Sequence, residues 1–448
     1  MTQSLQELTT ALLDAARDAG AEAAEALAVR GTSLSAETRA GALEHVERSE
    51  GVDLGLRVLQ GRRQAIVSTS DMNPNTLRNL AERAVAMANE APEDPYAGLA
   101  EDDALGVGAD PDSLDLADPA AAPSPDALTR AAMEAEAAAA AVDGVSQVES
   151  ASASYTETAV HLAATNGFSG GYARTQSSIG CSAISGTGTE MERDYDADAR
   201  VYWSDMRSAS EIGQLAGERA CERRGARRPK TGSFPVLFDE RISGSLIGHL
   251  LQASNGAAVA RGSSWLRDAL EKQVLPETLT VTENPHRPRV FGSRPFDVEG
   301  LPTRTRKIVD EGILTGWTLD LASARKLGLS STANAARSVA GPPSPTNWNI
   351  ELTQGDASRE DLIAQMGTGL LVTSMIGSTI NPTTGDYSRG ASGFWVENGE
   401  IAYPVNECTI AGNLKDMLLR MVPANDARAH LSRVIPSLLV EGLTLAGE

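Results

Sequence analysis

The residue pattern of this chain changes at about position 230, and this change limits the folds that are open to it. Before that position, segments with helical spacing of apolar residues alternate with short segments typical of β-strands. After it, the pattern is mostly β-like with many Gly and Pro residues, and helices are predicted only near 240–254 and 317–326. A chain of 448 residues is also too long for one ordinary core. The predicted fold class is therefore α+β, with N-terminal α/β-type subdomains followed by a β-rich C-terminal domain.

The N-terminal part contains the clearer local signals. Apolar spacing and helix-end residues predict helices over 4–19, 74–91, 125–142 and 209–224. Residues 52–59 and 64–68 are predicted to form a hairpin that turns at Gly61. Residues 145–202 alternate Thr, Ser and Val and predict an antiparallel meander. Its Gly-containing breaks are expected at 166–167, 170–171 and 186–188.

Two segments look like connections between domains. Residues 92–125 are rich in Pro, Asp, Gly and Ala without periodicity, which indicates an exposed connection. The run Arg-Arg-Pro-Lys at 227–230 is interpreted as a solvated linker rather than a nucleic-acid patch. The predicted parts are an α+β subdomain (1–92), a linker (93–124), a helix-plus-meander subdomain (125–230) and the β-rich domain (231–448).

The charge balance excludes some classes of partner. Asp and Glu outnumber Lys and Arg by 60 to 39, so the formal net charge is −21. Because phosphate binding needs clustered cations, we expect neither nucleic acid nor an anionic membrane as a partner. The three Cys residues are far apart, the N-terminus lacks an apolar segment, and the apolar run 367–377 is too short to span a bilayer. These features predict a cytoplasmic protein.

A search for catalytic motifs finds none. The chain has five His residues, and none of them belongs to an HExxH or HExxxH motif. It has no GxSxG elbow, no Walker loop and no GxGxxG after a strand. The residues by themselves therefore predict only a two-domain α+β protein, with no catalytic and no metal-binding residue.

One long segment resembles a known family. Residues 376–417 read IGSTINPTTGDYSRGASGFWVENGEIAYPVNECTIAGNLKDM, and they are similar to the C-terminal hallmark of the TldD/PmbA family. The segments 51–71, 165–175 and 235–266 are similar to the family as well. The resemblance runs from about residue 10 to the C-terminus. It is closest to the PmbA (TldE) branch of this family, which is also known as the modulator of DNA gyrase family.

The resemblance implies a division of labour between two subunits. In TldD-like members a helix carries HExxxH, and its two His residues bind zinc together with a Cys near the C-terminus. Here Gly248 stands at the first His, His249 at the Glu and Ala253 at the second His, and 422–438 contains no Cys. Cys408 lies earlier and is interpreted as a small buried residue. We therefore expect no cofactor in this chain and zinc in a TldD-like partner.

The resemblance also implies a function. The chain is expected to be the metal-free subunit of a cytosolic TldD/TldE-type metalloprotease complex, with a TldD-like catalytic subunit as partner and small unfolded peptides as substrates. Without its partner, it is expected to form a homodimer through its C-terminal half. One alternative is an autonomous metallopeptidase of the same family. Another is a regulatory binding protein with no proteolytic role.

Five residues are candidates for contacts with a peptide or with the partner subunit. Tyr387, Ser388 and Arg389 follow a predicted turn at 381–387, and an Arg in an otherwise apolar region needs a carboxylate or carbonyl group to bind. The alternative is that these three residues only brace a structural hairpin. The other two candidates are His249 and Asn255. The segment 255–264 after the predicted helix is rich in Gly and Ala, which also fits simple close packing of the backbone.

Overall fold

The structure, a computed structural model, describes residues 3–447 and begins with one large antiparallel sheet. The strands of this sheet are β1 (Ala23–Arg39), β2 (Ala42–Gln60), β3 (Arg63–Thr69), β4 (Val145–Ala164), β5 (Ser169–Ser185) and β6 (Glu192–Arg200). Their order across the sheet is β3-β2-β1-β4-β5-β6. Strands that precede residue 93 in the sequence and strands that follow residue 124 therefore belong to one continuous sheet.

Four helices cover one face of this sheet. They are α1 (Leu5–Asp18), α2 (Pro74–Glu90), α3 (Pro125–Ala140) and α4 (Ala209–Glu222). Ala26 and Ala28 of β1 pack with α1 and α2, while Leu34 and Ala36 pack with α3 and α4. Because side chains alternate along a strand, Leu27 points to the opposite face, where it packs against the C-terminal half. The predicted helices are confirmed, each starting next to a capping Ser or Asn.

The C-terminal half is rich in strands. These are β7 (Gly232–Phe238), β8 (Val281–Glu283), β9 (Arg306–Asp310), β10 (Ile313–Leu314), β11 (Ala335–Ala336), β12 (Ser344–Pro345), β13 (Ile350–Leu352), β14 (Gly369–Ile380), β15 (Asp386–Glu397), β16 (Glu400–Asn413), β17 (Met421–Pro423), β18 (Arg433–Val434) and β19 (Leu438–Ala446). The helices are α5 (Glu240–Ala253), α6 (Gly256–Ala260), α7 (Leu321–Leu327), α8 (Arg359–Met366) and α9 (Leu414–Leu419). The predicted α+β fold with a β-rich C-terminal domain is confirmed.

The main C-terminal sheet closes on itself. Its order is β16-β15-β14-β7-β19-β17, and β16 also pairs with β19, which gives a barrel-like sheet. A second sheet has the order β10-β9-β8-β13-β18. One hydrophobic core joins the closed sheet, helix α5 and the second sheet, and its fully buried members include Phe238, Leu250 and Val372. This core holds α5 in place.

The two halves are held together by buried contacts. Asp194 of β6 accepts a hydrogen bond from Arg241 of α5 at 2.9 Å, and Arg223, just after α4, donates one to the hydroxyl oxygen of Ser392 on β15 at 2.8 Å. The segment 93–124 lies against the C-terminal half, where Arg325 of α7 donates hydrogen bonds to the carbonyl groups of Tyr96, Gly98 and Leu99. The predicted positions of the domain boundaries stay predictions.

Two local predictions were wrong in detail. The break expected at 170–171 lies inside β5, where the backbone of Gly171 passes so close to Val160 that an added Cβ would lie 2.7 Å from its carbonyl oxygen. The helix expected from 317 begins at Leu321, because the side chain of Asp320 caps it by accepting a hydrogen bond from the Ser323 N–H. Among residues 3–447, no helix is long and apolar enough to cross a membrane.

Candidate functional site

Helix α5 carries the positions that align with the zinc motif of TldD-like relatives. It begins after Asp239, whose side chain accepts a hydrogen bond from the backbone N–H of Arg241 at 3.2 Å. Ile247 and Leu250 are fully buried and anchor the apolar face of the helix in the core. His249 stands beside this face and is directed towards strand β15, where its ring meets that of Tyr387.

His249 and Tyr387 form the centre of the candidate site. Their ring centroids are 5.9 Å apart and their planes meet at 74°, an edge-to-face arrangement. The Nε2 atom of His249 is buried and has no hydrogen-bond partner in the described part of the chain. Burial lowers the pKa of His249, and the positive charge of Arg389 lowers it further. The imidazole is therefore neutral at pH 7, able to donate or accept a hydrogen bond but carrying no charge.

The neighbouring residues of β15 have different environments. Tyr387 is only 2% exposed, its hydroxyl donates to the sulfur of Met375 at 3.4 Å, and burial raises its pKa to about 12. Arg389 is half-buried, and its Nε donates to the carbonyl oxygen of Gly377 at 2.8 Å. Ser388 is half-buried between β14 and β16, with which its backbone pairs. Tyr387 is thus a core residue behind His249, while Arg389 joins β15 to β14.

Asn255 has contacts of a structural kind. Its Oδ1 accepts hydrogen bonds from the N–H groups of Ala257 and Ala258 at 3.0 and 3.4 Å, which caps helix α6. Its Nδ2 donates to the carbonyl oxygen of Pro345 at 2.8 Å. This side chain therefore holds α6 against β12, and its contact with a peptide or partner stays a prediction.

A cavity of about 390 Å³ opens beside His249. It is lined by His249, Gln252, Ala253, Ala258, Arg261, Ser263, Trp265, Ser378, Ile380 and Pro382. Its volume lies within the range of small-ligand pockets, about 300–1,000 Å³. Of the five candidate residues, His249 lines this cavity directly.

Five polar or aromatic residues of this cavity wall were not among the candidates from the sequence: Gln252, Arg261, Ser263, Trp265 and Ser378. Gln252 follows His249 by three residues on the same helix, so helical spacing alone could have indicated it. Arg261 lies within the segment whose Gly and Ala content drew attention to backbone packing, and Trp265 follows just after it. The charge of Arg261 in that small-residue segment was the available signal.

The groups around α5 do not match the His–His–Cys zinc site of TldD-like relatives. Ala253 contributes only a methyl group to the cavity wall, and a Cβ atom at Gly248 would lie 3.1 Å from an Nη atom of Arg433. A guanidinium cation so close to the first ligand position would repel a metal cation. Residues 3–447 contain no group of three or more His, Cys, Asp or Glu side chains that could hold a metal ion.

Cys408 does not supply the missing ligand. It is buried as expected from the sequence, and its thiol donates to the carbonyl oxygen of Ala391 at 3.2 Å. Burial raises the pKa of this thiol to about 11, and Cys408 is not among the residues that line the cavity beside His249.

Comparison with known proteins identifies the family. The family models for PmbA/TldA metallopeptidase domain 1, central domain and C-terminal domain match residues 24–88, 118–224 and 231–447. A protein named metalloprotease PmbA, from Escherichia coli O157:H7, is 37% identical over 445 residues, which are 99% of this chain and 96% of that protein. The chain belongs to the PmbA/TldD family. A metalloprotease PmbA homolog from Haemophilus influenzae is 36% identical over 450 residues, again covering 99% of this chain and 96% of the relative.

Solved structures have the same PmbA/TldD fold. A protein from Bacteroides thetaiotaomicron, described as a modulator of DNA gyrase, matches with a TM-score of 0.91 and 28% identity over 99% of this chain and 98% of its own. TldE from Thermococcus kodakarensis matches with a TM-score of 0.85 over 98% of this chain and 100% of its own. Its identity is 20%, so this second likeness concerns the fold alone. Helix α5 and the cavity lie in residues 231–447 of this chain, the part that matches the C-terminal domain of the family.

Proposed function

We propose that this chain is the TldE-like, metal-free subunit of a TldD/TldE-type metalloprotease complex that processes small unfolded peptides. One observation carries the proposal: at the first zinc-ligand position of α5, Gly248 lies against the guanidinium of Arg433. The second ligand position, Ala253, presents a methyl group to the cavity. Hydrolysis is therefore assigned to a TldD-like partner, and binding of the peptide to this chain.

The cavity beside His249 supports a binding role. Its walls combine apolar groups such as Trp265 and Ile380 with the polar groups of His249, Gln252 and Arg261. Apolar walls with a few polar groups are typical of pockets that bind and orient small ligands. Holding a peptide in place lowers the barrier for a reaction at a neighbouring subunit, because less freedom is lost when the reaction occurs.

The names of relatives agree with a peptidase complex in different ways. The curated relatives are named metalloproteases, and one solved structure of this fold is named TldE. The description of another as a modulator of DNA gyrase is interpreted as an indirect effect of peptide processing. The complex is proposed to act in the cytoplasm.

Metal analysis tests the proposal. The protein purified without chelator should contain no stoichiometric zinc or iron, because neither Gly248 nor Ala253 supplies a ligand. The TldD-like protein from the same genome, purified in parallel, serves as the control and should carry zinc. The two proteins together should form a complex that digests an unfolded peptide, while this chain alone should not. One equivalent of tightly bound metal in this chain would contradict the proposal and favour an autonomous metallopeptidase.

A further inference from the structure

The charge of the cavity beside His249 differs from that of the whole molecule. The chain has 60 Asp and Glu residues, yet the cavity wall described above includes no carboxylate among residues 3–447. Arg261 lines the cavity, and in the described part of the chain its guanidinium has neither an ion pair nor a hydrogen bond. Arg389 does not line the cavity, but its positive charge lies close to His249. A cavity wall that carries, among the described residues, an unpaired guanidinium and no carboxylate is suited to an anion.

One neutral group beside the cavity also lacks a partner. The Nε2 atom of His249 is buried without a hydrogen bond within residues 3–447. Ser378 and the side-chain amide of Gln252 lie on the same wall. The apolar groups of Trp265 and Ile380 complete it, so a ligand that fits should join an anionic group to an apolar one.

We propose that this cavity binds the carboxylate group of a peptide, with Arg261 as its principal ligand and His249 as a hydrogen-bond partner. The inference rests on the proposed function, since it names the chemical group by which the peptide is recognised. A guanidinium matches a carboxylate in shape and charge, because its two parallel N–H groups bind both oxygens. The carboxylate comes either from the free C-terminus of the peptide or from an Asp or Glu side chain, and both sources share this chemistry.

Calorimetric titration of the full-length protein tests the inference. The ligands are a six-residue apolar peptide as the free acid, the same peptide with a C-terminal amide, and an amidated peptide with one internal Asp. The free acid should bind about tenfold more tightly than the amide, as expected for a hydrogen-bonded charge. In Arg261→Gln the ratio of the affinity for the free acid to the affinity for the amide should fall to about one. In Arg78→Gln, which removes an exposed Arg on α2, the preference should persist.

Each outcome decides between the alternatives. Equal affinity for all three peptides in the unmodified protein, or no binding of any of them, would overturn the carboxylate site without any need for a variant. Tight binding of the amidated Asp peptide would assign the carboxylate to a side chain. Peptide digestion by the two-subunit complex is measured separately. Turnover by the complex without a preference for either carboxylate-bearing peptide leaves the proposed function standing and removes this inference. A carboxylate preference without turnover keeps the binding site and removes the proposed function.

Discussion

At the scale of single residues, the site depends on how His249 and Arg389 are placed. Both were candidates from the sequence, and the structure brings them close enough for the charge of Arg389 to lower the pKa of His249. Their roles as contacts stay predictions, but the two side chains differ in a way that can be measured. His249 lines the cavity, while Arg389 joins two strands through Gly377.

We predict that His249 makes stability depend on pH. Burial and Arg389 lower its pKa in the folded state, whereas the unfolded residue titrates near its usual value of about 6.5. As the pH falls below about 6.5, the unfolded state binds the proton first, so the stability that is present above this pH is lost. The free energy of unfolding of the unmodified protein, minus that of His249→Gln, should therefore fall from pH 8 to pH 5 in urea titrations. A difference that rises over this range would contradict the pKa direction.

Arg389→Ala separates a binding role from a structural one. If Arg389 positions a peptide, turnover by the two-subunit complex should drop by up to about a hundredfold, because small misplacements of a substrate slow a reaction strongly. Complex formation and the zinc content of the partner should stay unchanged. If Arg389 only braces β14 through Gly377, the melting temperature or complex assembly should fall and activity should follow in proportion. Normal turnover in a well-folded variant complex would rule out the binding role.

At the scale of elements, close helix packing explains the composition of α3 and α4. The second half of α3 is almost pure Ala and Glu, and α4 presents Gly213 and Gly217 to it. A Cβ atom added at Gly213 would lie 1.9 Å from the carbonyl oxygen of Ala135. Small residues on both helices thus let the two backbones approach each other, which a pattern of helical spacing alone does not indicate.

This packing predicts opposite effects for two Gly→Ala substitutions. Gly213→Ala gains about 1 kcal/mol of helix propensity, but displacing a backbone carbonyl costs about 1–3 kcal/mol or more, so the melting temperature should fall. Gly244→Ala in α5 is the matched control, since a Cβ atom there meets none of the described atoms within 4 Å. The melting temperature of Gly244→Ala should rise, because Ala has the higher helix propensity and meets no steric conflict there. An unchanged or higher melting temperature for Gly213→Ala would show that the helices can separate without cost.

At the scale of the whole molecule, exposed apolar residues of the closed sheet fit the expected homodimer. Ile376 on β14 is 77% exposed and Ile401 on β16 is 49% exposed. Large exposed apolar side chains cost free energy in water, and a two-fold interface would bury two copies of each. The β-rich half is thus the part of the chain that we expect to form an interface when the partner is absent.

We predict that the isolated full-length protein is a dimer in light scattering and that Ile376→Asp shifts it towards monomer. A carboxylate at this position would have to be buried in the interface without a partner, which is costly. Met87→Asp is the control, because Met87 is also apolar and is 47% exposed but lies on α2 in the N-terminal half. A monomer at every workable concentration, or equal effects of both substitutions, would contradict a dimer through the C-terminal half.

The sequence by itself determined the local elements and the family. The helices followed from the spacing of apolar residues and from residues such as Pro74, which suits a first turn, because these signals act within a few turns of the chain. The family followed from one unbroken segment, 376–417, and the missing ligands at Gly248 and Ala253 followed from aligning one helix. Each of these inferences uses residues that are neighbours along the chain.

Only the tertiary structure decided what surrounds α5. His249 contacts Tyr387, and Gly248 lies against the guanidinium of Arg433. Both contacts join segments that are distant in sequence. The first contact depends on the closed C-terminal sheet, which contains β15, and the second depends on β18 of the second sheet, which shares the same core. Such closure depends on the packing of many side chains at once, and no local spacing of residues encodes it. The cavity and its unpaired Arg261 therefore became visible only in three dimensions.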